Sequence, residues 1–374
     1  MIQSFAVNVP QEVLDDLKMR LTNTRWPDEL VDGDWNYGAN LGYMMELTDY
    51  WLHKFDWRKV EHEIGQYPNF IANIDGYNIH FMHIKGKGKK VVPLIITHGW
   101  PGSFLEMMKL IPLLTDNDQL SFDLVIPSII GFGFSDKITD TGCNSEFVAD
   151  LWHKLMLELG YEKYGAQGGD IGSGISTWLA KKYPNQITGL HLNYISGSYK
   201  PYLNDGEVLP EEVLNFQKFA AGWMLKEGAY VYQHVTKPIT LAYGLNDSPI
   251  GLCAWIIEKF KAWSDNKHIE DRFTKDELLA NVTLYWITQT IHSSIRIYNE
   301  NSKHPLVFNK NDYINVPVGF AKFPYELPTP PFSYIERGFN IVHWTEMPAG
   351  GHFAAMEQPE LLANDLIDFF RTLT

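Results

Sequence analysis

Strand and helix patterns alternate between residues 76 and 200, and this alternation limits the possible fold more than any other feature of the chain. The residues of YNIHFMHIK follow the period of two that is expected of a strand. VVPLIITHGW and DLVIPSIIGFGFS are continuous apolar runs, which are typical of parallel strands buried on both faces. Helical patterns accompany them in SFLEMMKLIPLL, in residues 145–159 and in IGSGISTWLAKKYP. The alternation predicts an α/β fold with a mostly parallel, doubly wound sheet.

Residues 201–312 lose the strand patterns, and helical patterns rich in Trp and Tyr take their place. Two strands then return, in INVPVGFAKFP and FNIVHWTEM, and PELLANDLIDFFRTL closes the chain as a helix. A helical block between strands of one sheet predicts an inserted lid above the carboxyl ends of the strands, where open α/β sheets bind ligands. We therefore assign residues 76–200 and 313–374 to the core and residues 201–312 to the lid.

Residues 1–75 mix short helical patterns with an irregular stretch, TRWPDELVDGDW. Apolar residues recur at helical spacing in residues 13–21 and 44–52. The irregular stretch has too little periodicity to form a folding unit by itself. We expect these residues to form an N-terminal arm that packs on the rest of the chain.

The composition argues against several classes of protein. The 374 residues carry a formal net charge of −14, whereas binding to nucleic acid or to an anionic membrane surface needs a basic surface. We see no signal-peptide pattern and no run approaching ~20 apolar residues, and we expect a cytoplasmic protein without a membrane anchor. The two cysteines, Cys143 and Cys253, fit unpaired thiols in a reducing compartment. Metal-ligand spacings and phosphate-binding loops are missing from the sequence, so no metal or organic cofactor is expected.

The stretch GGDIG at residues 168–172 lies at a predicted strand-to-helix junction. It matches the G-x-nucleophile-x-G pattern of a nucleophile elbow, with Asp170 where hydrolases usually carry serine. Glycines suit the flanking positions because the turn is tight and the backbones of strand and helix nearly touch. The alternative is a Gly-rich turn in which Asp170 caps a helix. The position in the strand–helix series favours the elbow.

A second motif, HGWPG at residues 98–102, ends a predicted buried strand. In an elbow-containing fold, the loop after an early strand supplies one backbone N–H to an oxyanion hole, and the residue after the nucleophile supplies another. The predicted donors are the N–H groups of Trp100 and Ile171. The alternative is a Pro-Gly turn that only ends the strand.

His352, in the GGHF stretch after the last predicted strand, lies where this type of fold carries its catalytic histidine. Glu326, at the end of the preceding strand, is the predicted acid that orients it. The order of nucleophile, acid and histidine along the chain is that of α/β hydrolases. Asp312 and Glu346 are weaker candidates for the acid, because Asp312 precedes the strand and Glu346 lies too near His352 in sequence.

An aspartate at the elbow implies displacement at a saturated carbon. A serine attacking such a carbon would leave an ether, whereas a carboxylate leaves an ester, which an oxyanion hole and an activated water can hydrolyse. The carboxyl group of an aspartate is ordinarily ionised at neutral pH. His352 is therefore free to act as the general base on water, with Glu326 fixing its tautomer.

The leaving group then determines the activity. A halide needs donors such as a Trp N–H, whereas the oxygen of an opened epoxide needs a proton, which a lid tyrosine can give. Composition does not choose among the tyrosines of the predicted lid, which are Tyr230, Tyr232, Tyr243, Tyr285 and Tyr298.

Several long motifs of the chain resemble those of the microsomal-type epoxide hydrolases of the α/β-hydrolase fold. They are HGWPGSF, GGDIGS, TKPITLAYGLNDSPIGLCAWIIEKF, LYWITQTIHSSIRIY and PAGGHFAAMEQPELL, and with TRWPDEL in the arm they cover nearly the whole chain. The resemblance implies that Asp170 is the nucleophile, His352 the base and Glu326 its acid. It implies that Tyr230 and Tyr298 are the lid tyrosines that hold and protonate the epoxide oxygen, and that the arm braces core and lid.

The resemblance also carries expectations about substrate and setting. Membrane-bound members have an N-terminal anchor that we do not find here, so the chain is similar to the soluble microbial branch. Ile171 stands where some relatives have Trp, and Glu326 where many have Asp. The implied reaction converts an epoxide and water to a vicinal diol. The aromatic-rich lid favours an apolar or aromatic epoxide, with detoxification or aromatic hydrocarbon catabolism as the expected setting. Relatives often form homodimers.

Two other functions stay open at this point. A haloalkane dehalogenase shares the aspartate, acid and histidine, and Trp100 could bind a halide if its side chain faced the pocket. A non-catalytic ligand-binding protein on the same fold is the other alternative, although an intact nucleophile, base and acid argue against it.

Overall fold

The computed structural model describes residues 1–28, 30 and 33–374. Within these residues the strands are β1 (Ile2–Ser4), β2 (Asn69–Ile74), β3 (Tyr77–Ile84), β4 (Lys90–Thr97), β5 (Leu120–Pro127), β6 (Tyr164–Gly168), β7 (Ile187–Leu192), β8 (Ile314–Lys322) and β9 (Phe339–Glu346). They form one sheet in the order β1-β2-β3-β5-β4-β6-β7-β8-β9. Every pairing from β5 to β9 along this order is parallel, and the pairings among β1, β2, β3 and β5 are antiparallel. The sheet is therefore mostly parallel, as predicted.

The helices surround this sheet and supply the lid. The α-helices of the described residues are α1 (Gln11–Thr22), α2 (Leu41–His53), α3 (Trp57–Gly65), α4 (Leu110–Thr115), α5 (Ser145–Glu158), α6 (Asp170–Lys182), α7 (Glu211–Glu227), α8 (Ala229–Thr236), α9 (Pro238–Leu245), α10 (Pro249–Ala262), α11 (Lys275–Thr288), α12 (Ile291–Lys303), α13 (Phe332–Ile335), α14 (Ala354–Glu357) and α15 (Pro359–Thr372). Short 3₁₀ helices occupy Asp34–Tyr37, Phe104–Lys109 and Ile269–Asp271. Helices α7 to α12 lie between β7 and β8 in the chain, where the inserted lid was predicted.

Both faces of the central strands are buried, which explains their continuous apolar runs. In β5, Val125 belongs to the apolar cluster that includes side chains of α5 and α6. Its neighbours Leu124 and Ile126 point the other way, into the cluster that includes side chains of α4 and α15. Successive side chains of a strand point to opposite faces, so a strand covered on both sides has no polar face.

The predicted arm at residues 1–75 requires one correction. Its two ends, β1 and β2, are strands of the main sheet, and β2 pairs antiparallel with β3. These strands have three and six residues, too short for a period of two to stand out beside the helical patterns. The stretch TRWPDELVDGDW lies partly outside the described residues.

The arm contacts the lid as well as the sheet. Arg20 of α1 forms an ion pair with Asp247, which follows α9, with an N–O distance of 2.9 Å. The Tyr50 hydroxyl of α2 donates to Asp276 of α11 at 3.1 Å. These contacts tie α1 and α2 to two parts of the lid.

One predicted strand is shorter than its apolar run. DLVIPSIIGFGFS was predicted as a single strand, but β5 ends at Pro127 and the chain then turns. Gly131 and Gly133 have φ of 89° and 50°, in the left-handed region that a strand does not use. The apolar residues beyond Pro127 are buried in a loop instead, since Ile129, Ile130 and Phe132 are almost inaccessible to solvent.

No helix in the described part of the chain combines the length and the apolar character that a membrane crossing requires.

Candidate active site

Asp170 lies at the sharp turn between β6 and α6, where the elbow was predicted. Its φ of 44° is in the left-handed region, which a non-glycine residue seldom adopts outside strained functional turns. The strand and helix are as close as the glycines suggested: a Cβ added to Gly168 of β6 would lie 2.2 Å from the carbonyl oxygen of Gly172 in α6. The turn holds the Asp170 side chain at the carboxyl end of the sheet with 15% of it exposed.

The Trp100 N–H donates to Oδ1 of Asp170 at 2.8 Å. The loop that carries this donor is held from the lid, because the Tyr285 hydroxyl donates to the carbonyl of Gly102 at 2.7 Å and Asn281 donates to that of Pro101 at 2.8 Å. The second predicted donor, the Ile171 N–H, makes no hydrogen bond to the Asp170 carboxylate among the described residues. In the unreacted state the structure therefore places one of the two predicted N–H groups on this carboxylate.

His352 lies between two carboxylates. Its Nε2 is 3.5 Å from Oδ2 of Asp170, and its Nδ1 is 2.5 Å from Oε1 of Glu326. The His352 and Glu326 side chains are only 3% and 2% exposed. The weaker candidates for the acid lie elsewhere, Asp312 paired with Lys181 at 3.2 Å and Glu346 with Lys322 at 3.2 Å.

Burial and charge have opposing effects on His352. Burial alone would lower the pKa of the imidazole, but the carboxylates of Glu326 and Asp170 raise this pKa well above its usual value. The imidazole is therefore protonated while both carboxylates are charged. Loss of either negative charge would let burial lower its pKa again.

A cavity of about 390 Å³ lies between Asp170 and the lid. Tyr230 of α8 and Tyr298 of α12 line it, with ring centroids 6.1 Å apart. Much of the remaining lining is apolar and comes from Ile171, Phe216, Trp223, Met224, Val231 and Leu327. The cavity can thus hold an apolar molecule with polar groups at Asp170 and at the two phenols.

The structure separates the five lid tyrosines that composition left equivalent. Tyr230 and Tyr298 line the cavity, whereas the Tyr285 hydroxyl is bonded to Gly102. Tyr232 and Tyr243 are 61% and 78% exposed on the surface. Only the first two of the five can therefore reach a molecule in the cavity.

Both cavity tyrosines keep their protons at neutral pH. Burial, and secondarily the charge of Asp170, raise the pKa of Tyr230 and of Tyr298 well above the usual value for a phenol. Two phenols that stay protonated beside a carboxylate can donate hydrogen bonds to a polar atom of a bound molecule.

The Trp100 indole does not line this cavity among the described residues. It stacks on Tyr230 with ring centroids 5.6 Å apart and contacts Tyr298 edge to face. The indole therefore packs against the two tyrosine rings, and the hydrogen bond from Trp100 to Asp170 comes from the backbone N–H.

Sequence reasoning missed two residues of the site. Tyr194, just after β7, lines the cavity and contacts the His352 ring edge to face, with ring centroids 5.9 Å apart. Its position at the carboxyl end of a core strand could have identified it. Glu106 lies beside Asp170 and His352 around a second, smaller cavity. It follows HGWPGSF in a stretch that reads as an ordinary helix, so the sequence gives no signal for it.

Comparisons with known proteins identify the family to which this chain is similar. A family model described as "Epoxide hydrolase N terminus" matches residues 2–107, and one described as "alpha/beta hydrolase fold" matches residues 92–233. Epoxide hydrolase 1 of Sus scrofa is 38% identical over 100% of this chain and 89% of its own length.

Two solved structures are similar over the whole chain. The juvenile hormone epoxide hydrolase of the silkworm Bombyx mori has a TM-score of 0.90 and 30% identity, covering 100% of this chain and 95% of that one. The epoxide hydrolase of Aspergillus niger has a TM-score of 0.88 and 31% identity, and the match covers 100% of this chain and 97% of that one. On this evidence the chain belongs to the microsomal-type epoxide hydrolase family of the α/β-hydrolase fold, whose members are hydrolases that act on ether bonds.

Proposed function

We propose that this chain converts an apolar or aromatic epoxide to a vicinal diol through an ester on Asp170. The observation that carries the proposal is the position of the Asp170 carboxylate, between His352 on one side and a cavity with two protonated phenols on the other. Water is the second substrate, and the chemistry needs no metal and no organic cofactor.

In the first step, Oδ2 of Asp170 attacks one carbon of the epoxide, and the bond from that carbon to the ring oxygen breaks. The electron pair of that bond stays on the oxygen, which takes a proton from Tyr230 or Tyr298. Ester formation removes the charge of Asp170, one of the two carboxylates that raise the pKa of His352. The imidazolium proton is then free to replace the one that the phenol gave up.

In the second step, neutral His352 takes a proton from water as the water oxygen adds to Cγ of Asp170. Oδ1 carries the developing negative charge and already accepts the Trp100 N–H. The tetrahedral intermediate collapses, and the alkyl oxygen leaves as the second hydroxyl of the diol with the proton of the newly added hydroxyl group. This leaves a carboxylate at Asp170 and an imidazolium at His352, as before the reaction. In this proposal Ile171 supplies a second N–H as the carboxyl group becomes tetrahedral.

The cavity lining supports the choice of substrate class. Aromatic and aliphatic side chains surround a space of about 390 Å³, which is in the range of small-molecule sites. We propose detoxification or aromatic hydrocarbon catabolism as the setting and the cytoplasm as the compartment. A panel of styrene-type, terpene-type and aliphatic epoxides would rank the substrates.

A single turnover in oxygen-18 water tests the ester. With enzyme in excess over an aromatic epoxide, we expect the label in the Asp170 carboxylate and not in the diol, because the first diol takes its oxygen from the enzyme. Peptide mass spectrometry would locate the label. Label found directly in the diol would show that water attacks the epoxide without an ester. Enzyme incubated in labelled water without epoxide is the control.

Halide release is the competing activity, and the position of Trp100 argues against it. The Trp100 indole packs against the tyrosines and does not line the cavity among the described residues. Assays of halide release from haloalkanes and of diol formation from epoxides, on the same preparation, separate the two activities.

A further inference from the structure

A second cavity borders Asp170 and is separate from the substrate cavity. It has a volume of about 20 Å³ and is lined by Glu106, Gln167 and His352 among others. Asp170 is the one described residue that lines both cavities. A site needs at least ~10–15 Å³ of such space to hold a water molecule, so this cavity has room for about one.

The lining of this small cavity offers a water the hydrogen-bond partners it needs. Oε1 of Gln167 is buried and has no hydrogen-bond partner among the described residues, while Nε2 of the same amide donates to Asn193 at 2.8 Å. His352 also lines the cavity. In the proposed function its Nε2, which is 3.5 Å from Oδ2 of Asp170, accepts a proton once Asp170 is an ester. A buried water typically makes about three hydrogen bonds, and Glu106 can supply the third.

Glu106 is built into this position by its own loop. It lies in the 3₁₀ helix Phe104–Lys109, and its carboxyl group occupies the space beside Gly102. A Cβ on residue 102 would lie 1.2 Å from Oε1 of Glu106, so the carboxyl group fits there only because residue 102 is glycine. Burial raises the pKa of Glu106 to about 8, because it outweighs the opposing charge of His352 and the charge of Asp170 acts in the same direction as burial. The carboxyl group is therefore mostly protonated at neutral pH and can both donate and accept a hydrogen bond.

Glu106 also lines a third cavity, on its other side. This groove of about 520 Å³ lies between the arm and the lid, and Tyr50, Lys59, Asn281 and Met356 line it. Glu106 is the one described residue that the groove shares with the small cavity. The three cavities thus adjoin in series. Asp170 lies between the substrate cavity and the small cavity, and Glu106 lies between the small cavity and the groove.

We propose that Glu106 is a positioning residue for ester hydrolysis, and that it holds the attacking water beside His352 and receives this water from the groove between arm and lid. The inference rests on the proposed function, because only an Asp170 ester needs a water on this side. It explains how water reaches the ester while the alkyl group fills the substrate cavity. Glu106 takes no part in ring opening, because it does not line the substrate cavity.

Separate measurement of ester formation and ester hydrolysis tests the proposal. In rapid-quench single turnovers with styrene oxide, we expect Glu106→Met to form the ester at the wild-type rate and to hydrolyse it roughly 10- to 100-fold more slowly, as for a misplaced reactant. Glu106→Gln keeps the shape of the side chain and can still both donate and accept a hydrogen bond. Its rate of ester hydrolysis should stay within about threefold of the wild-type rate, a much smaller change than misplacement of the water would cause. Gln167→Met, which removes the amide that also lines the small cavity, should slow ester hydrolysis selectively in the same way.

Other outcomes overturn the proposal. Equal slowing of both steps in Glu106→Met would mean a structural role, and an unchanged hydrolysis rate would remove Glu106 from the reaction. Hydrolysis in Glu106→Gln as slow as in Glu106→Met would exclude positioning by hydrogen bonds. If Glu106→Met does not fold, the rates of ester formation and ester hydrolysis in Gln167→Met test the proposal in its place. Absence of any ester in the wild type would instead refute the proposed function, so the two failures are distinguishable.

Discussion

Glu326 and His352 share a hydrogen bond of 2.5 Å between Oε1 and Nδ1, and Oε2 of the same carboxylate is buried without a partner in the described part of the chain. The Leu327 N–H also donates to Oε1, at 2.7 Å. In the protein interior the low dielectric strengthens the attraction between this carboxylate and the imidazole. The pair fixes Nδ1 as the bonded nitrogen and leaves Nε2 to face Asp170.

The substitution Glu326→Gln should shift the pH dependence of ester hydrolysis to lower pH. In the ester state Asp170 is uncharged, so Glu326 alone opposes the effect of burial on the pKa of His352. Without Glu326 this pKa falls, and His352 becomes neutral at a lower pH. The maximal rate should also fall roughly 100-fold or more, because the imidazolium of the transition state loses its partner. Single-turnover hydrolysis rates across pH measure both effects, and a shift to higher pH would contradict the assignment.

His352→Gln should stop the reaction at the ester. Ring opening needs only Asp170 and a phenol, whereas hydrolysis needs a base. We expect one equivalent of epoxide to react and the protein mass to increase by the mass of that epoxide, which intact-mass spectrometry detects. Digestion should locate the added mass on the peptide that contains Asp170. An Asp170→Ala variant is the control and should gain no mass.

Tyr230→Phe and Tyr298→Phe should each slow ester formation, and the double variant should slow it by roughly 10²- to 10⁴-fold, the usual contribution of a general acid. Ester hydrolysis should change little, because the phenols lie on the substrate side of Asp170. Tyr243→Phe, at a hydroxyl that is on the surface, is the matched control. Wild-type ring-opening rates in the double variant would remove the two phenols from the mechanism.

Tyr285→Phe should destabilise the fold without removing a reacting group. The change leaves the buried carbonyl of Gly102 without the Tyr285 donor, which costs about 1–3 kcal/mol in the free energy of unfolding. Urea denaturation measures this cost. Tyr232→Phe, at a side chain that is mostly exposed, should change stability by less than about 0.5 kcal/mol. Equal midpoints for the two variants would show that the Tyr285 hydrogen bond does not stabilise the loop.

Several elements were predictable because their signals are local. The continuous apolar runs of β4 and β5 and the elbow around Asp170 all lie within a dozen residues of sequence. The strands β1 and β2 were missed because short strands at the edge of a sheet are specified by their partners and have little pattern of their own. The turn after Pro127 was missed because apolar residues in a buried loop resemble a strand.

The sequence alone determined the fold class and the identity of the elbow residue, since both depend on periodicity and on a glycine pattern that neighbouring residues carry. The resemblance to the family already implied Glu326 and the two tyrosines Tyr230 and Tyr298. Only the tertiary structure shows how they come together, with both tyrosines at the cavity beside Asp170 and Glu326 bonded to His352. It alone also placed Glu106 between two cavities. These relationships join residues far apart in the chain, and their distances depend on how helices pack above the sheet, which no local pattern encodes.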